Sequence, residues 1–571
     1  MSKYNKPVEK TVRQSTTHQG GVGFTQTPEK ELIGILATGL DNTYYENEND
    51  RDKRFCEVFN KIAHKDKEFA AKSLVYARTK FGQRTVTHRG AVELIPFLQG
   101  DSLGKRFFSK RQRNKNEGGV VYRIDDMTEI LACYLAKNGN DAPIPNAIKK
   151  GFKDAIENAD AYQLAKYQMK NKAVSLVDIV NLVHHRETDI QGTIDVPVEV
   201  YHKAVQGTKF ATTSLLPPLT KDVEKGLTVK VPTLQALVLG ILKQFNTVED
   251  KNTEAGKVVA EKVKAGELTQ EEAEKQLNEA KTDNFRDLIE TKKIGYLALL
   301  RNLRNILKTN DAELLAKAEE LLVTKEFIRK SLVWPHQIDL ALEVLLVEFS
   351  GRGMNSLAST LGTAYELSIP NLKELIPEGK TAIVFDSSGS MQGRRQISIS
   401  AKQHINTSPA EKAALVAATF AKGVGGDVYH FADYTKQIKG WNPADSFNSI
   451  KKEFLSHNGE VGYGTAFASS IELFERENKQ YDRVIIISDC QDGRGWYRSG
   501  GTIEDALKSY SKKFGTPYVY IIDVTGYEVV SGKPGQRVFR MAGYTQDIYE
   551  CIPQLEINPN VVIDEIKAIN I

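Results

Sequence analysis

The feature that most restricts the fold is a change in hydrophobic period near Pro370. Before it, segments such as "KSLVYARTKF", "DMTEILACYLAK", "PNAIKKGFKDAIENA", "LQALVLGILKQF" and "YLALLRNLRNIL" place apolar residues at spacings of three and four, as amphipathic helices do. These helix-length pieces, joined by short polar or Pro-containing links, predict a solenoid of stacked helix pairs, although no clean internal repeat is visible. After it, "KTAIVFDSSG", "GDVYHFA", "YDRVIIISDC" and "PYVYIIDVTG" alternate with helical segments. Near-continuous apolar strands such as Val484 to Ile487 need burial on both faces, hence a mostly parallel sheet between helices. About 190 residues of this pattern make one doubly wound domain.

A chain of 571 residues exceeds what one core supports, so several domains are expected. The division read here is a flexible polar arm over 1–28, a helical module over 29–372 and an α/β domain over 378–571. The Lys-, Glu- and Ala-rich stretch near 249–285 reads as a solvated helical insertion. No apolar run is long enough to span a bilayer, and the first residues lack the apolar centre of a secretory signal, so no membrane role and a cytoplasmic location are expected. The four cysteines are far apart and suit reduced thiols. A formal charge of +4 is too small for bulk attraction to a polyanion, so such a partner needs a local patch.

"TAIVFDSSGSM" runs from an apolar strand into an acid and hydroxyls, where doubly wound folds bind ligands. Asp386, Ser388 and Ser390 follow one another at alternate positions, "GYGT" offers Thr465 at the start of a helix, and "VIIISD" ends another strand in Asp489. Two carboxylates and three hydroxyls meeting at one rim would suit a hard divalent ion, Mg²⁺ first and Mn²⁺ or Ca²⁺ next. The plainer alternative is that Asp386 and Ser388 cap the following helix.

On this strand order, Asp386, Ser388, Ser390, Thr465 and Asp489 resemble the metal-ion-dependent adhesion site of von Willebrand factor A domains. The helical part resembles the TROVE module of the Ro autoantigen family, through "LIGILATGLDNTYY", "ALLRNLRNI" and "VWPHQIDLALEVLL". The resemblance is to a bacterial or phage member and covers nearly the whole chain. It implies an all-α, HEAT-like ring of helical repeats closed within one monomeric chain, followed by a Rossmann-like A domain. It also implies Y RNA-like molecules and the free 3′ ends of misfolded noncoding RNA as partners, and an exoribonuclease as a candidate recruit.

An RNA surface needs clustered cations to neutralise phosphates. Lys149, Lys150 and Lys153 fall on one predicted helix, and Lys166 and Lys170 share a face of the next. Ser175 and Asp178 form a capping box whose helix delivers His184 and His185 at its end. By resemblance, Lys149, Lys150, Lys166, Lys170 and His184, preferred to His185, take the positions of the family's RNA-contacting residues. A second basic stretch offers Lys110, Arg111 and Arg113 around Phe107 and Phe108, whose rings suit either base stacking or the core. Arg89, Arg301 and Arg304 read as structural ion-pair residues.

No nucleophile elbow, Walker loop, zinc-protease motif or dinucleotide fingerprint is present, so a noncatalytic scaffold is expected. The alternative is a metal-dependent adhesion or Mg²⁺ hydrolase module on a helical scaffold. Cys490 reads as a packing residue.

Overall fold

The computed structural model describes residues 12–571 apart from 113–114, 168–172, 184–191, 208–227, 243–258, 266, 293, 332, 334, 350–351, 370–371, 394, 401–402, 494–500, 536 and 544–546. The described chain is mostly helical, with one six-stranded sheet and three two-stranded ribbons. It forms two compact units, residues 1–58 with 258–564, and residues 59–257 with 565–571. Helices of the C-terminal half of the helical module belong to the same compact unit as the sheet.

The sheet comprises β1 Thr381–Asp386, β2 Asp427–Phe431, β3 Thr435–Ile438, β4 Arg483–Ser488, β5 Tyr518–Asp523 and β6 Val538–Ala542. Their order is β6-β5-β4-β1-β2-β3, and every pairing is parallel except that of β2 with β3. β1 and β4 are buried at all six positions, as expected for strands covered on both faces. On one face Val384, Val484, Ile486 and Ile521 pack with Ile471 and Phe474 of helix Ser469–Arg476 and with Ile503 and Tyr510 of helix Ile503–Phe514. Helix Pro409–Val424 packs against β1 and β4. Its start is written locally: Pro409 occupies the first turn, and Ser408 and Glu411 exchange side-chain and backbone bonds in a capping box.

Helices of the 270–368 segment are tied into this unit by two buried contacts. Tyr365 stacks on Phe447 with centroids 4.0 Å apart and shares a 2.9 Å hydrogen bond with Thr419. The buried Lys451 ammonium donates to Asp339 Oδ1 and Glu343 Oε1, both at 2.7 Å. Within the charged stretch, helix Gln270–Glu290 begins with a Thr269–Glu272 capping box, and the described residues from 259 to 285 are mostly exposed; residues 249–258 lie outside the described residues. Residues 14–16 and 22–24, read above as part of a flexible arm, instead pair as an antiparallel hairpin.

The other unit is built from helices such as Lys67–Thr79, Thr85–Leu94, Asp125–Asn138, Asn146–Glu157 and Leu176–Val183, with the last residues of the chain returning to it. Its polar centre is Asp126, fully buried between helices. Arg78 Nη2, His88 Nε2 and Arg84 Nη2 approach Oδ1 at 3.1, 3.0 and 3.4 Å, and the backbone N–H groups of Tyr122 and Arg123 donate to Oδ2 at 3.1 and 2.8 Å. Burial alone would push this carboxyl up. The His88 contact and the Arg78 charge outweigh it, so the group is held well below the usual carboxylate range.

A depressed carboxyl stabilises the fold above its unfolded-state value, about 3.9, and that contribution is lost as pH falls through the folded-state value. Asp126→Ala is expected to cost about 3–5 kcal/mol in denaturant unfolding, because it strands the buried Arg78 without a counter-charge. A loss below about 1 kcal/mol would contradict this role.

Candidate metal centre and basic surface

Three loops at the carboxyl edge of the sheet carry the oxygen donors. β1 ends in Asp386, whose Oδ1 accepts the Ser388 N–H at 2.8 Å while Oδ2 accepts the Ser488 hydroxyl. Ser388 Oγ then lies 3.3 Å from Ser390 Oγ. Gly389 N donates to the Tyr463 carbonyl at 2.8 Å, and Gly493 N donates to the Thr465 carbonyl at 2.9 Å, so the loop bearing Thr465 is pinned to both of the others. Its turn depends on Gly462, where φ is +88° and a Cβ would press on the Asp433 carboxylate. Thr465 precedes helix Ser469–Arg476 by four residues and does not start it, because the intervening chain is needed to reach the rim.

Asp489 follows β4, and the chain turns sharply beyond it, with Cys490 in the left-handed region at φ 59°. That backbone costs of order 1–3 kcal/mol for a side-chain-bearing residue, and it aims Asp489 back over the sheet edge. Cys490 is fully buried, in keeping with packing. All five predicted donors are buried. Thr465 Oγ1 and Asp489 Oδ2 have no hydrogen-bond partner among the described residues. Orphaned oxygens at such burial are costly unless something positive satisfies them, and two carboxylates with three hydroxyls form a donor set that fits Mg²⁺ or Mn²⁺.

The carboxylates also sense each other. Burial pushes Asp386 up to about 6, and burial together with the Asp386 charge also raises Asp489 well above the usual carboxylate value. Beside them lies a group that the sequence did not disclose, the N-terminal hairpin. Thr17 Oγ1 donates to the Asp492 carbonyl at 2.6 Å, His18 N donates to Gln491 Oε1 at 2.9 Å, and Gln19 Nε2 donates to Ser390 Oγ at 3.3 Å. Gly21 is required here, since a Cβ would lie 2.2 Å from the Asp492 carbonyl oxygen. His18 stacks on Tyr45 at 5.0 Å, so aromatic rings wall the rim on that side. Only three-residue strands carry this pairing, too short for a periodic signal.

The basic positions fare differently. Lys149 and Lys150 lie on helix Asn146–Glu157, whose Ile148, Phe152 and Ile156 are buried; Lys150 is exposed and Lys149 half-buried. Neither forms an ion pair among the described residues, whereas Lys153 lies 3.8 Å from Glu157. Lys166 is on helix Ala161–Tyr167. Lys170, His184, His185 and Arg113 lie outside the described residues. The Ser175–Asp178 capping box is present, with Ser175 N donating to Asp178 Oδ2 at 2.8 Å and Asp178 N to Ser175 Oγ at 3.3 Å.

In the second basic stretch one alternative is settled and one reading changes. Phe107 and Phe108 are fully buried and pack edge to face at 5.0 Å, so they are core anchors. Arg111 is also buried, because its guanidinium staples the Gly118, Asn570 and Asn116 carbonyls at 2.6–2.7 Å; it is not a surface phosphate contact. Lys110 is partly spent in the same way, donating to Gln163 Oε1 at 2.7 Å and to the Asn158 carbonyl. Arg89 pairs with Glu93, and Arg304 with Glu348 at 2.5 Å; Arg301 is exposed and has no ion pair among the described residues.

No family model matches the chain, and no curated protein matches it. Among solved structures, the chain is similar to the crystal structure of the Deinococcus radiodurans Ro (RSR) protein. The sequence identity is 14%, the match covers 93% of this chain and 100% of that one, and the TM-score is 0.46. Among the described residues no helix is long and apolar enough to cross a membrane.

Raised carboxyl groups stabilise the fold below their unfolded-state value, and this is lost as pH rises through the folded-state value. In chelator, thermal stability should therefore fall between about pH 4 and the Asp386 value of about 6. Saturating Mg²⁺ should flatten that fall, and Asp489→Asn should abolish the Mg²⁺ effect. Melting curves at several pH values check all three, and an Mg²⁺ response that survives Asp489→Asn would contradict the site.

Proposed function

We propose that this chain is a noncatalytic, Ro-like RNA-binding scaffold with an A-type domain that holds a divalent ion for docking a partner. The RNA reading rests on the Ro-like motifs and, as its carrying observation, on the unpaired Lys149 and Lys150, set on the solvent side of a helix whose opposite side is buried. Cations displayed in this way can neutralise phosphates and release counterions. By resemblance, Lys166, Lys170 and His184 belong to the same RNA-contacting set. The RNA is of the Y RNA-like or misfolded, free-3′-end class, and the helical part closes into a ring within a single cytoplasmic chain.

Asp386, Ser388, Ser390, Thr465 and Asp489 would hold Mg²⁺, with Mn²⁺ or Ca²⁺ as substitutes. Three neutral hydroxyls leave much of the ion's charge unquenched, so a bound ion supplies a position for a carboxylate or phosphate oxygen of the partner, an exoribonuclease among the candidates. Docking suits the site better than turnover. Asp386 is committed to the Ser388 N–H and the Ser488 hydroxyl, so it is held as a fixed acceptor and is not presented as a nucleophile.

Binding of a stem-loop RNA and of an RNA with a free 3′ tail, measured over a range of salt concentrations, tests the RNA reading. Lys149→Ala/Lys150→Ala is expected to weaken both and to lower the salt slope by about 2, one for each phosphate that is no longer neutralised. Lys166→Ala/Lys170→Ala/His184→Ala is expected to weaken them further. Wild-type affinity in both variants at every salt concentration would overturn the assignment.

A further inference from the structure

Near the oxygen rim, the same unit brings together nitrogen and oxygen donors that the rim does not use. His430, near the end of β2, is fully buried. His457 follows helix Phe447–Ser456, and Glu460 lies three residues on. His430 Nε2 stands 3.4 Å from Glu460 Oε2, and His457 Nδ1 stands 2.7 Å from the same oxygen. One donor atom from each of the three residues lies within 4.8 Å of the others.

The contacts of Ser387 admit the tautomer of His430 that leaves Nε2 available. Ser387 Oγ lies 3.1 Å from the Phe431 carbonyl, which also accepts the Ser387 N–H at 2.9 Å, and 3.2 Å from His430 Nδ1; when the hydroxyl donates to that carbonyl, the ring donates from Nδ1. Nδ1 then carries the hydrogen and Nε2 keeps its lone pair. That lone pair is buried, has no hydrogen-bond partner among the described residues and faces a carboxylate oxygen. A buried lone pair that faces a carboxylate oxygen is relieved by a cation between the two.

His457 is prepared in a complementary way. Its Nε2 is likewise buried without a hydrogen bond and lies 3.5 Å from Glu453 Oε1. If Nδ1 gives its lone pair to an ion, its hydrogen moves to Nε2, where Glu453 can accept it, with no net release of a proton. A carboxylate behind a ligating imidazole is the usual outer support of such ligands. Lys436 holds the other oxygen of Glu460, fixing the carboxylate so that Oε2 is the oxygen that faces both rings.

We propose that His430 Nε2, His457 Nδ1 and Glu460 Oε2 form a three-ligand site for a borderline first-row divalent ion, Zn²⁺ foremost, with Glu453 supporting His457. Two imidazoles and a carboxylate suit Zn²⁺ and disfavour Mg²⁺, so this site and the oxygen rim select different ions. Bonds of about 2.0–2.1 Å in a tetrahedron set donors about 3.4 Å apart, the separation already present between His430 Nε2 and Glu460 Oε2, whereas His457 Nδ1 and Glu460 Oε2 would part on loading. A fourth position is left for water or a side chain of a bound protein.

The test is a titration of the full chain, with Mg²⁺ at saturation, using Zn²⁺ by calorimetry and Co²⁺ by the visible absorption of a tetrahedral complex. One equivalent is expected to bind to wild type, with affinity lower by about tenfold to a hundredfold in Glu453→Gln. Binding should be lost in His457→Ala and in Glu460→Ala, partly exposed positions where an unchanged melting profile shows that the fold survives. No uptake by wild type, uptake undiminished in His457→Ala/Glu460→Ala, or displacement of Zn²⁺ by Mg²⁺ would overturn the proposal.

Discussion

Asp386 and Asp489 sit at the carboxyl ends of β1 and β4, strands paired in register from Arg483 opposite Thr381 to Ile487 opposite Phe385. Each carboxylate is out of water and within reach of the other's charge, a placement that costs several kcal/mol per ion unless it is compensated. Much of the surrounding detail answers that cost. The Ser488 hydroxyl and the Ser388 N–H hold Asp386, the Gln491 N–H donates to Asp489 Oδ1 at 3.2 Å, and the Thr465 loop is pinned between them. What these bonds leave unsatisfied, Thr465 Oγ1 and Asp489 Oδ2, is what a hard cation would complete.

The same sheet edge shows how one scaffold can present two kinds of chemistry. Residues leaving β1 and β4 supply hydroxyls and carboxylates, while His430 near the end of β2 and the turn after helix Phe447–Ser456 supply imidazoles. Ser387 joins the two groups, since it lies between Asp386 and Ser388 and its hydroxyl contacts His430 Nδ1 at 3.2 Å. The basic helix Asn146–Glu157 belongs to the other unit, so the proposed RNA surface and the proposed docking site are built on separate cores.

Much of this was legible in the sequence because period is a local property. Apolar runs such as Val484 to Ile487 are long enough to declare a doubly buried strand, and Ser175 with Asp178, or Ser408 with Glu411, declare a helix start within four residues. What was not legible depends on contacts far apart in the chain. Arg111 looked like part of a phosphate-binding cluster, and only the return of Asn570 shows it to be a buried staple. The N-terminal hairpin has no period to read, since its stability comes from the backbone of Asp492 and Val530, at the far end of the chain. Asp126 gave no sign that five donors would converge on it, and His430, His457 and Glu460 come together only through the packing of β2 against its neighbouring loops.

The most direct test of the central claim is anomalous diffraction from crystals of the full chain soaked in Mn²⁺. The account predicts a single strong peak at the rim, within bonding distance of Ser388, Ser390 or Thr465 hydroxyls and held by Asp386 and Asp489, directly or through water. The absence of a peak there, with Mn²⁺ bound elsewhere or nowhere, would contradict it.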